Sequence, residues 1–308
     1  GICGACLLSA RVADTDEIYP VKQQSPQQLD HHVKPHYNFT RPEYLRLKSG
    51  ILLGLRFVLA KNSRLIAIAS RNTLRAKKLA QRFKITKSYG SYQELYKDQE
   101  IDVIYNPLPN HLHIKSSIEA CKNKKNILLE KPISLKATDI DPLMKYASEN
   151  KVVIKEAFMV RHHPQWQWVK KYIKSGKLGS ISSISTVFSY NNKNPKNIRN
   201  IKKFGGGAIY DIGCYPTVIS RFLLDKEPKR VVGLAKNDKK FKTDILSSVV
   251  LDFGEIYSSF IVATQSTFSQ QVTILGTKKT LIVENPFNAI ATKPTTVVTV
   301  SYTHLRAH

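Results

Sequence analysis

Alternating apolar and amphipathic segments over residues 64–154 constrain the fold of this chain more than any other feature. Four short, almost continuously apolar runs are predicted strands: Leu65–Ala69, Ile101–Tyr105, Asn126–Leu129 and Val152–Ile154. Three segments between them have helical periodicity and are predicted helices: Thr73–Phe83, His111–Asn123 and Thr138–Asn150. Because such runs are typical of strands buried on both faces, the alternation predicts βαβ crossovers and a parallel α/β sheet.

After about residue 160 the pattern changes to one that predicts an α+β domain. Two helices are predicted in it: Gln165–Ser175 and Ala208–Leu224. Six strands are predicted at short intervals: Ile181–Tyr190, Arg230–Ala235, Leu246–Phe253, Ile256–Ala263, Gln271–Leu275 and Thr280–Val283. Turn signals between these strands favour an open, largely antiparallel sheet with helices on one face.

The length of 308 residues suits two domains of ordinary size. We expect the parallel-sheet domain at 47–158 and the α+β substrate domain at 159–300. Residues 1–46 are rich in Gln, His, Pro and charge, and we expect them to form an irregular extension outside the fold. Residues 301–308 (SYTHLRAH) are expected to be a foreign tail.

An excess of positive charge leaves one alternative function open. The chain has 48 Lys and Arg against 23 Asp and Glu, a net charge of +25. Polyanion binding is therefore a competing interpretation, although the basic residues are scattered and no nucleic-acid-binding motif accompanies them. Cys3 and Cys6 form a lone CxxC, which does not predict a metal site. Without an apolar run of about 20 residues, we expect a cytoplasmic protein that does not contact membrane.

Polar residues follow the predicted strands at the edge where open α/β sheets bind ligands. Ser70, Arg71 and Asn72 follow the first strand, where a dinucleotide-binding fold reads the adenosine ribose. An Arg at this place accommodates a 2′-phosphate, so the residues favour NADP, with NAD possible. Pro109 and Asn110 follow the second strand and predict a rigid turn and a helix cap.

Two further strand-end groups can carry protons or charge. His111 and His113 follow the turn, and either could carry a proton, although a histidine beside a helix cap is more often structural. Glu130 and Lys131 end the third strand, immediately before Pro132. A Lys before Pro is held extended, so its ammonium is expected to project from the strand end and stabilise an alkoxide.

The strongest local signal is the glycine-opened helix Gly205–Tyr215 (GGGAIYDIGCY). Three glycines predict a helix start whose free N–H groups can face an anion or a polar substrate. Asp211 and Tyr215 are four residues apart and therefore share a helical face. A Tyr with a pKa of ~10 near a Lys becomes a useful proton shuttle. A capping glycine cluster before an ordinary core helix is the alternative interpretation that the spacing leaves open.

Four motifs resemble those of the Gfo/Idh/MocA oxidoreductases, most closely the branch of dihydrodiol dehydrogenases and NADP-dependent D-xylose dehydrogenases. They are PNHLH, EKPISL, EAFMVRHHPQW and GGGAIYDIGCYP, within roughly residues 55–295. The resemblance implies a Rossmann domain and an α+β domain whose sheet often forms a homodimer face. It also implies an NAD(P)-dependent dehydrogenase or reductase that acts on a CH–OH group of a sugar or cyclic polyol.

Matched motif by motif, the resemblance implies roles for individual residues. Lys131 matches the catalytic lysine, Tyr215 the acid/base residue and Asp211 the substrate-orienting acid. Arg161 and His163 match a segment beside the substrate. The predicted cofactor-binding residues are Ser70, Arg71, Asn72, Pro109, Asn110, His113, Glu130 and Lys131.

One departure from the family concerns the pyrophosphate of the cofactor. The family opens with a strand and a G-x-G-x-x-G/A turn, whereas the candidate here is Gly50–Gly54, a G-x-x-x-G. We therefore expect a chain truncated or scrambled at both ends, with impaired or absent activity as an alternative function. A metal hydrolase lacks the HExxH-type spacing it would need among the available histidines: His111, His113, His162 and His163.

Overall fold

The computed structural model describes residues 7–12, 36–39, 63–289 and 295–301, and the chain forms two compact units. The described residues of the first unit are 7–12, 63–157 and 195–205. Those of the second unit are 36–39, 158–194, 206–289 and 295–301. The Cys3–Cys6 pair, the Gly50–Gly54 turn and the end 302–308 lie outside the described residues.

The elements alternate strand and helix in the first half and are mostly strands in the second. The strands are β1 Leu7–Val12, β2 His36–Phe39, β3 Ser63–Ala69, β4 Lys87–Tyr89, β5 Val103–Asn106, β6 Asn126–Leu129, β7 Ile154–Glu156, β8 Ile181–Asn191, β9 Arg230–Asn237, β10 Asp244–Asp252, β11 Tyr257–Ala263, β12 Gln265–Gly276, β13 Lys279–Val283 and β14 Thr295–Ser301. The α-helices are α1 Thr73–Phe83, α2 Tyr92–Lys97, α3 His113–Lys122, α4 Ile140–Glu149, α5 Pro164–Lys174 and α6 Cys214–Leu224. Short 3₁₀ turns cover Asn110–Leu112, Ala137–Asp139, Met159–His162, Ile198–Asn200 and Lys202–Phe204, and a π-helical turn covers Ile209–Gly213.

The first unit contains a six-stranded sheet in the order β4-β3-β1-β5-β6-β7. The pairs β3–β4, β5–β6 and β6–β7 are parallel, which confirms the predicted Rossmann-type sheet. Two buried clusters explain the continuous apolar runs. Leu65 and Ile68 pack with Ala80 of α1, whereas Ile66 packs in a cluster that includes Leu143 of α4. The neighbouring residues Leu65 and Ile66 of β3 are therefore buried in different clusters, as expected of a sheet covered by helices on both faces.

Strand β1 lies between β3 and β5 and is antiparallel to both. Its first residue pairs with the last residue of β3, Leu7 with Ala69. The strand therefore begins at the carboxyl edge of its parallel neighbours and runs away from it. Residues 1–46, expected to form an irregular extension outside the fold, thus include two strands that pair in the sheets: β1 in the first sheet and β2, beside β14, in the second.

The second unit contains an eight-stranded sheet in the order β2-β14-β13-β12-β8-β11-β10-β9. Its pairs are antiparallel except for β8–β11, so the sheet is mixed, mostly antiparallel, as the α+β prediction required. Trp166 of α5 and Ile219 of α6 share one buried cluster with Ile184 and Phe260 of the sheet. One face of the sheet is thus covered by helices. None of the helices in the described part of the chain is long and apolar enough to cross a membrane.

Candidate functional site

The turn after β3 holds its polar residues through local hydrogen bonds. Ser70 is buried, its N–H donates to the Tyr89 carbonyl at 3.1 Å, and its Oγ accepts from the Asn72 N–H at 3.2 Å. Asn72 caps α1, with its side-chain oxygen accepting from the Arg75 N–H at 2.9 Å. Arg71 is exposed between them and forms no ion pair with a described carboxylate. The turn therefore presents one guanidinium at the carboxyl edge of the sheet.

The turn after β5 is ordered by a buried asparagine. Asn106 is 1% exposed, donates to the Ser117 Oγ at 3.2 Å and accepts from the Leu108 N–H at 3.2 Å. Pro109 and Asn110 follow and are half-buried. The Asn110 side chain donates to the Gly205 carbonyl at 3.0 Å, so it holds another loop of the same unit rather than the helix that follows.

Residues 195–205 belong to the first unit and pack beside this turn. The rings of His111 and Phe204 stack with centroids 4.6 Å apart, and the Lys203 ammonium lies 5.4 Å from the centroid of the Phe204 ring. Partial desolvation, and then the charges of Lys203 and Arg71, lower the pKa of His111. The carboxyl edge therefore carries two cations near the stacked pair of the exposed His111 and the half-buried Phe204, an arrangement suited to an anionic ligand.

His113, predicted to bind cofactor, is fully buried at 0% exposure. Its Nδ1 lies 2.8 Å from the Pro132 carbonyl oxygen and its Nε2 lies 2.6 Å from the Leu108 carbonyl oxygen. Burial lowers the pKa of His113, while the two carbonyls act in the opposite direction. Both ring nitrogens therefore contact backbone carbonyls, which favours the structural interpretation of this histidine over direct contact with a cofactor.

Glu130 and Lys131 follow β6 at the same carboxyl edge. The Glu130 carboxylate accepts from the Tyr105 hydroxyl at 2.6 Å and from the Lys131 N–H at 3.2 Å. Two residues later, the Ile133 N–H donates to the Glu156 carboxylate at 2.7 Å. The backbone on both sides of the Lys131 side chain is therefore fixed by carboxylates, and Lys131 itself is half-buried.

In the second unit, Asp211 lies in the π-helical turn Ile209–Gly213 and Tyr215 in the first turn of α6. The Tyr190 hydroxyl donates to the Asp211 carboxylate at 2.6 Å. The Tyr215 ring packs among three phenylalanine rings, with centroid distances of 5.3 to 5.9 Å: Phe158, Phe188 and Phe287. π-helical turns are rare and frequently occur at functional sites. This one contains the predicted acid and directly precedes the helix that carries the predicted acid/base residue.

The start of this helix differs from the prediction that its N–H groups are free for a ligand. Asp244 of β10 accepts from the Ile209 N–H at 2.8 Å and from the Ser247 hydroxyl at 3.0 Å. A Cβ on Gly207 would lie 1.9 Å from the Asp244 Oδ1. The glycine is therefore needed so that a carboxylate of the protein can approach, which supports the alternative reading of the glycine cluster as a capping one.

Arg161 and His163 lie around the start of α5. His163 is buried and is the N-cap, with its Nδ1 accepting from the Gln165 N–H at 3.2 Å. Arg161 is exposed, its guanidinium lies 5.9 Å from the centroid of the Phe222 ring, and its carbonyl accepts a hydrogen bond from Gln167.

The structure groups the predicted residues into two sets, one in each unit. The first set contains the predicted cofactor-binding residues, which lie in the first unit near the carboxyl edge of its sheet. The second set lies in the second unit and consists of Arg161, His163, Asp211 and Tyr215. Four supporting residues were not predicted: Tyr105, Glu156, Tyr190 and Asp244. Glu156 had a usable signal, because it ends a strand at the same edge as Glu130; the others contact their partners only through the tertiary fold. The side chains described include no cluster of three or more residues that could hold a metal ion.

Comparisons with known proteins connect these two sets to an oxidoreductase family. Residues 54–158 match the model described as "Oxidoreductase family, NAD-binding Rossmann fold", and residues 166–282 match the "GFO/IDH/MocA C-terminal domain". An uncharacterized oxidoreductase, ORF334, of Rhizobium meliloti is 40% identical over 230 residues, which are 74% of this chain and 69% of the relative.

Two relatives with assigned reactions and one solved structure are also similar. Trans-1,2-dihydrobenzene-1,2-diol dehydrogenase of Xenopus tropicalis is 30% identical, covering 76% of this chain and 71% of the relative. D-Xylose 1-dehydrogenase (NADP(+)) 2 of Haloferax volcanii is 29% identical, covering 77% and 72%. The crystal structure of a 3-ketoreductase from Actinomadura kijaniata with NADP and TDP-benzene has a TM-score of 0.73 at 26% identity, covering 78% of this chain and 74% of that one.

Proposed function

Because the chain belongs to the Gfo/Idh/MocA family of NAD(P)-dependent oxidoreductases, we propose that it oxidises a CH–OH group of a sugar or cyclic polyol, or reduces the corresponding ketone, with NADP. The observation that carries the proposal is the fixed backbone around Lys131 at the carboxyl edge of the sheet, where open α/β sheets bind their ligands. The comparisons favour neither the inactive-fragment alternative nor the polyanion-binding one.

The adenosine end of NADP fits the residues at this edge. Arg71 is exposed beside the buried Ser70 after β3, and Lys203 adds a second positive charge nearby. Two cations without a described carboxylate partner complement the 2′-phosphate that distinguishes NADP from NAD. The nicotinamide, when bound, supplies the hydride acceptor or donor. The segment Gly50–Gly54, which departs from the family's pyrophosphate-binding G-x-G-x-x-G/A turn, lies outside the described residues.

Three side chains are proposed to act on the substrate. The phenolate of Tyr215 accepts the proton of the reacting hydroxyl in the oxidation direction and returns it in the reduction direction. The ammonium of Lys131 stabilises the negative charge that develops on the same oxygen. Asp211, held by Tyr190, accepts a hydrogen bond from a neighbouring hydroxyl and so orients the ring.

The test combines cofactor binding with turnover in the full chain. NADPH fluorescence titration should detect binding, and NADP⁺ reduction should be measured across pentoses, hexoses and trans-diols. Tyr215→Phe and Lys131→Met should each lower kcat about 100-fold or more while NADPH still binds. Full turnover in Tyr215→Phe would remove the phenol from the mechanism. Absence of NADPH binding in the unmodified chain would favour the inactive-fragment alternative.

A homodimer through the large sheet is also proposed, together with a cytoplasmic location. The face of the sheet opposite helices α5 and α6 exposes apolar side chains that the strand register puts on one side: Val187, Val232, Leu234, Leu246, Val250, Tyr257, Ile261 and Leu275. A contiguous apolar face of this kind is typical of a protein–protein interface.

Adjacent residues of β9 provide a matched test of the dimer. Val232 and Val231 are 58% and 60% exposed, but they lie on opposite faces of the strand. Val232→Lys should convert the dimer to monomer in light scattering coupled to gel filtration, whereas Val231→Lys should leave it intact. A monomeric unmodified chain, or equal effects of the two substitutions, would contradict the proposal.

A further inference from the structure

His113 is a fully buried histidine whose two nitrogens both contact backbone. The Nδ1 atom is 2.8 Å from the Pro132 carbonyl oxygen and the Nε2 atom is 2.6 Å from the Leu108 carbonyl oxygen. Leu108 belongs to the turn after β5, and Pro132 immediately follows Lys131 at the end of β6. One imidazole therefore connects the turns that follow two neighbouring parallel strands.

His113 contacts the segment that carries Lys131. The Lys131 N–H donates to the Glu130 carboxylate at 3.2 Å, and the Ile133 N–H donates to the Glu156 carboxylate at 2.7 Å. The Pro132 carbonyl between them contacts His113. Polar backbone groups of three successive residues are thus each fixed by a side chain. Two of these partners hold N–H groups, and His113 holds the carbonyl directly after the lysine.

We propose that His113 is a positioning residue for the reaction, which acts by fixing the backbone that carries Lys131. This inference rests on the proposed function, because it needs Lys131 to act on the substrate. With 0% exposure and both nitrogens engaged, the imidazole has no surface for substrate or cofactor. Its effect on catalysis passes through Pro132 to the Lys131 ammonium, and a displacement of about 1 Å at a catalytic group lowers rates about 100-fold.

A neighbouring residue separates positioning from loss of stability. Ser117 is also 0% exposed and accepts a hydrogen bond from Asn106 at 3.2 Å. Ser117→Ala removes a buried hydrogen bond from the same unit, and no described hydrogen bond joins Ser117 to the Lys131 segment. Ser117→Ala is therefore the control for a general loss of stability in this unit, and it is measured beside His113→Ala.

The experiment measures kcat, KM and the NADPH Kd of the full chain for His113→Ala, His113→Gln, Ser117→Ala and Lys131→Met. We expect His113→Ala to lower kcat about 100-fold, with the NADPH Kd changed by no more than about twofold. His113→Gln should recover part of kcat, because its amide N–H can donate to one of the two carbonyls. Ser117→Ala should keep kcat within about twofold. If His113→Ala does not fold, the comparison of kcat between His113→Gln and Ser117→Ala tests the positioning role.

The outcomes distinguish failure of the proposed function from failure of the positioning role alone. If Lys131→Met retains full turnover, the proposed function fails and the inference fails with it. If Lys131→Met is inactive but His113→Gln has the same kcat as Ser117→Ala, only the positioning role is overturned. A His113 effect confined to the NADPH Kd would also overturn it, because that result assigns the histidine to the cofactor side.

Discussion

Substitution of Gly207 by alanine tests whether the glycine before the π-helical turn exists to admit a carboxylate. Gly207 has φ +125°, and a Cβ built on it would lie 1.9 Å from the Oδ1 of Asp244. The new methyl group would therefore displace the carboxylate that accepts hydrogen bonds from the Ile209 N–H and the Ser247 hydroxyl.

The expected cost is the sum of two effects. Holding a non-glycine residue in a sparsely populated backbone region costs about 1–3 kcal/mol. Loss of the cap on Ile209 adds about 0.5–2 kcal/mol, so Gly207→Ala should destabilise the protein by roughly 3 kcal/mol. Gly176 provides the control, because its φ is +72° and nothing lies within 4 Å of its Cβ position. Gly176→Ala should cost only the backbone contribution, about 1 kcal/mol.

Urea denaturation followed by circular dichroism measures these differences, with comparable m-values required for the comparison. A double-mutant cycle isolates the clash: in an Asp244→Ala background, Gly207→Ala should lose the part of its cost that comes from the carboxylate. Equal destabilisation by Gly207→Ala and Gly176→Ala would refute the reasoning. Strict additivity of Gly207→Ala and Asp244→Ala would refute it as well, since it would mean that the two groups do not meet.

Two further predictions concern acid stability and cofactor choice. Burial acts to raise the pKa of Asp98, but hydrogen bonds from Lys87 and Tyr89 outweigh it and lower the pKa to about 2. The stabilisation is therefore present above the unfolded pKa and lost as the pH falls from about 3.8 to about 2; Asp98→Asn should flatten this part of a urea-midpoint profile, and an unchanged slope would contradict the pairing. Arg71→Ala should raise KM for NADP about 10-fold or more with little change for NAD, while Lys77→Ala, an exposed lysine of α1, serves as the charge control; parallel changes for both cofactors would remove Arg71 from the 2′-phosphate.

Elements with long or strongly patterned sequence could be predicted closely. Helix α1 spans Thr73–Phe83 and strand β6 spans Asn126–Leu129, as predicted, because the apolar spacing of each is unambiguous. Strand β4 and helix α2 were not predicted, since they have only three and six residues and little periodicity. The parallel β8–β11 pair inside a mostly antiparallel sheet was also missed, because pairing partners depend on contacts far apart in sequence.

For the candidate site, the residue types could be predicted from the sequence, but their contacts could not. Its residue types and their strand-end positions were visible in the sequence, as Lys131 and Tyr215 illustrate. The connection of His113 to two carbonyls was not, because a histidine near a helix cap has the same local pattern whether it contacts solvent or backbone. The cap on Ile209 also had no local signal, since Asp244 is 35 residues away along the chain.

The sequence by itself determined the family, the order of the two fold types and the chemical groups available for hydride-transfer chemistry, because periodicity and motif spacing are local properties of the chain. Only the tertiary structure decided which groups satisfy one another: Glu130 with Tyr105, Asp211 with Tyr190, and Asp244 with the start of the Tyr215 helix. The physical reason is that buried donors and acceptors must be paired, and their partners come from segments that meet only when the chain has folded.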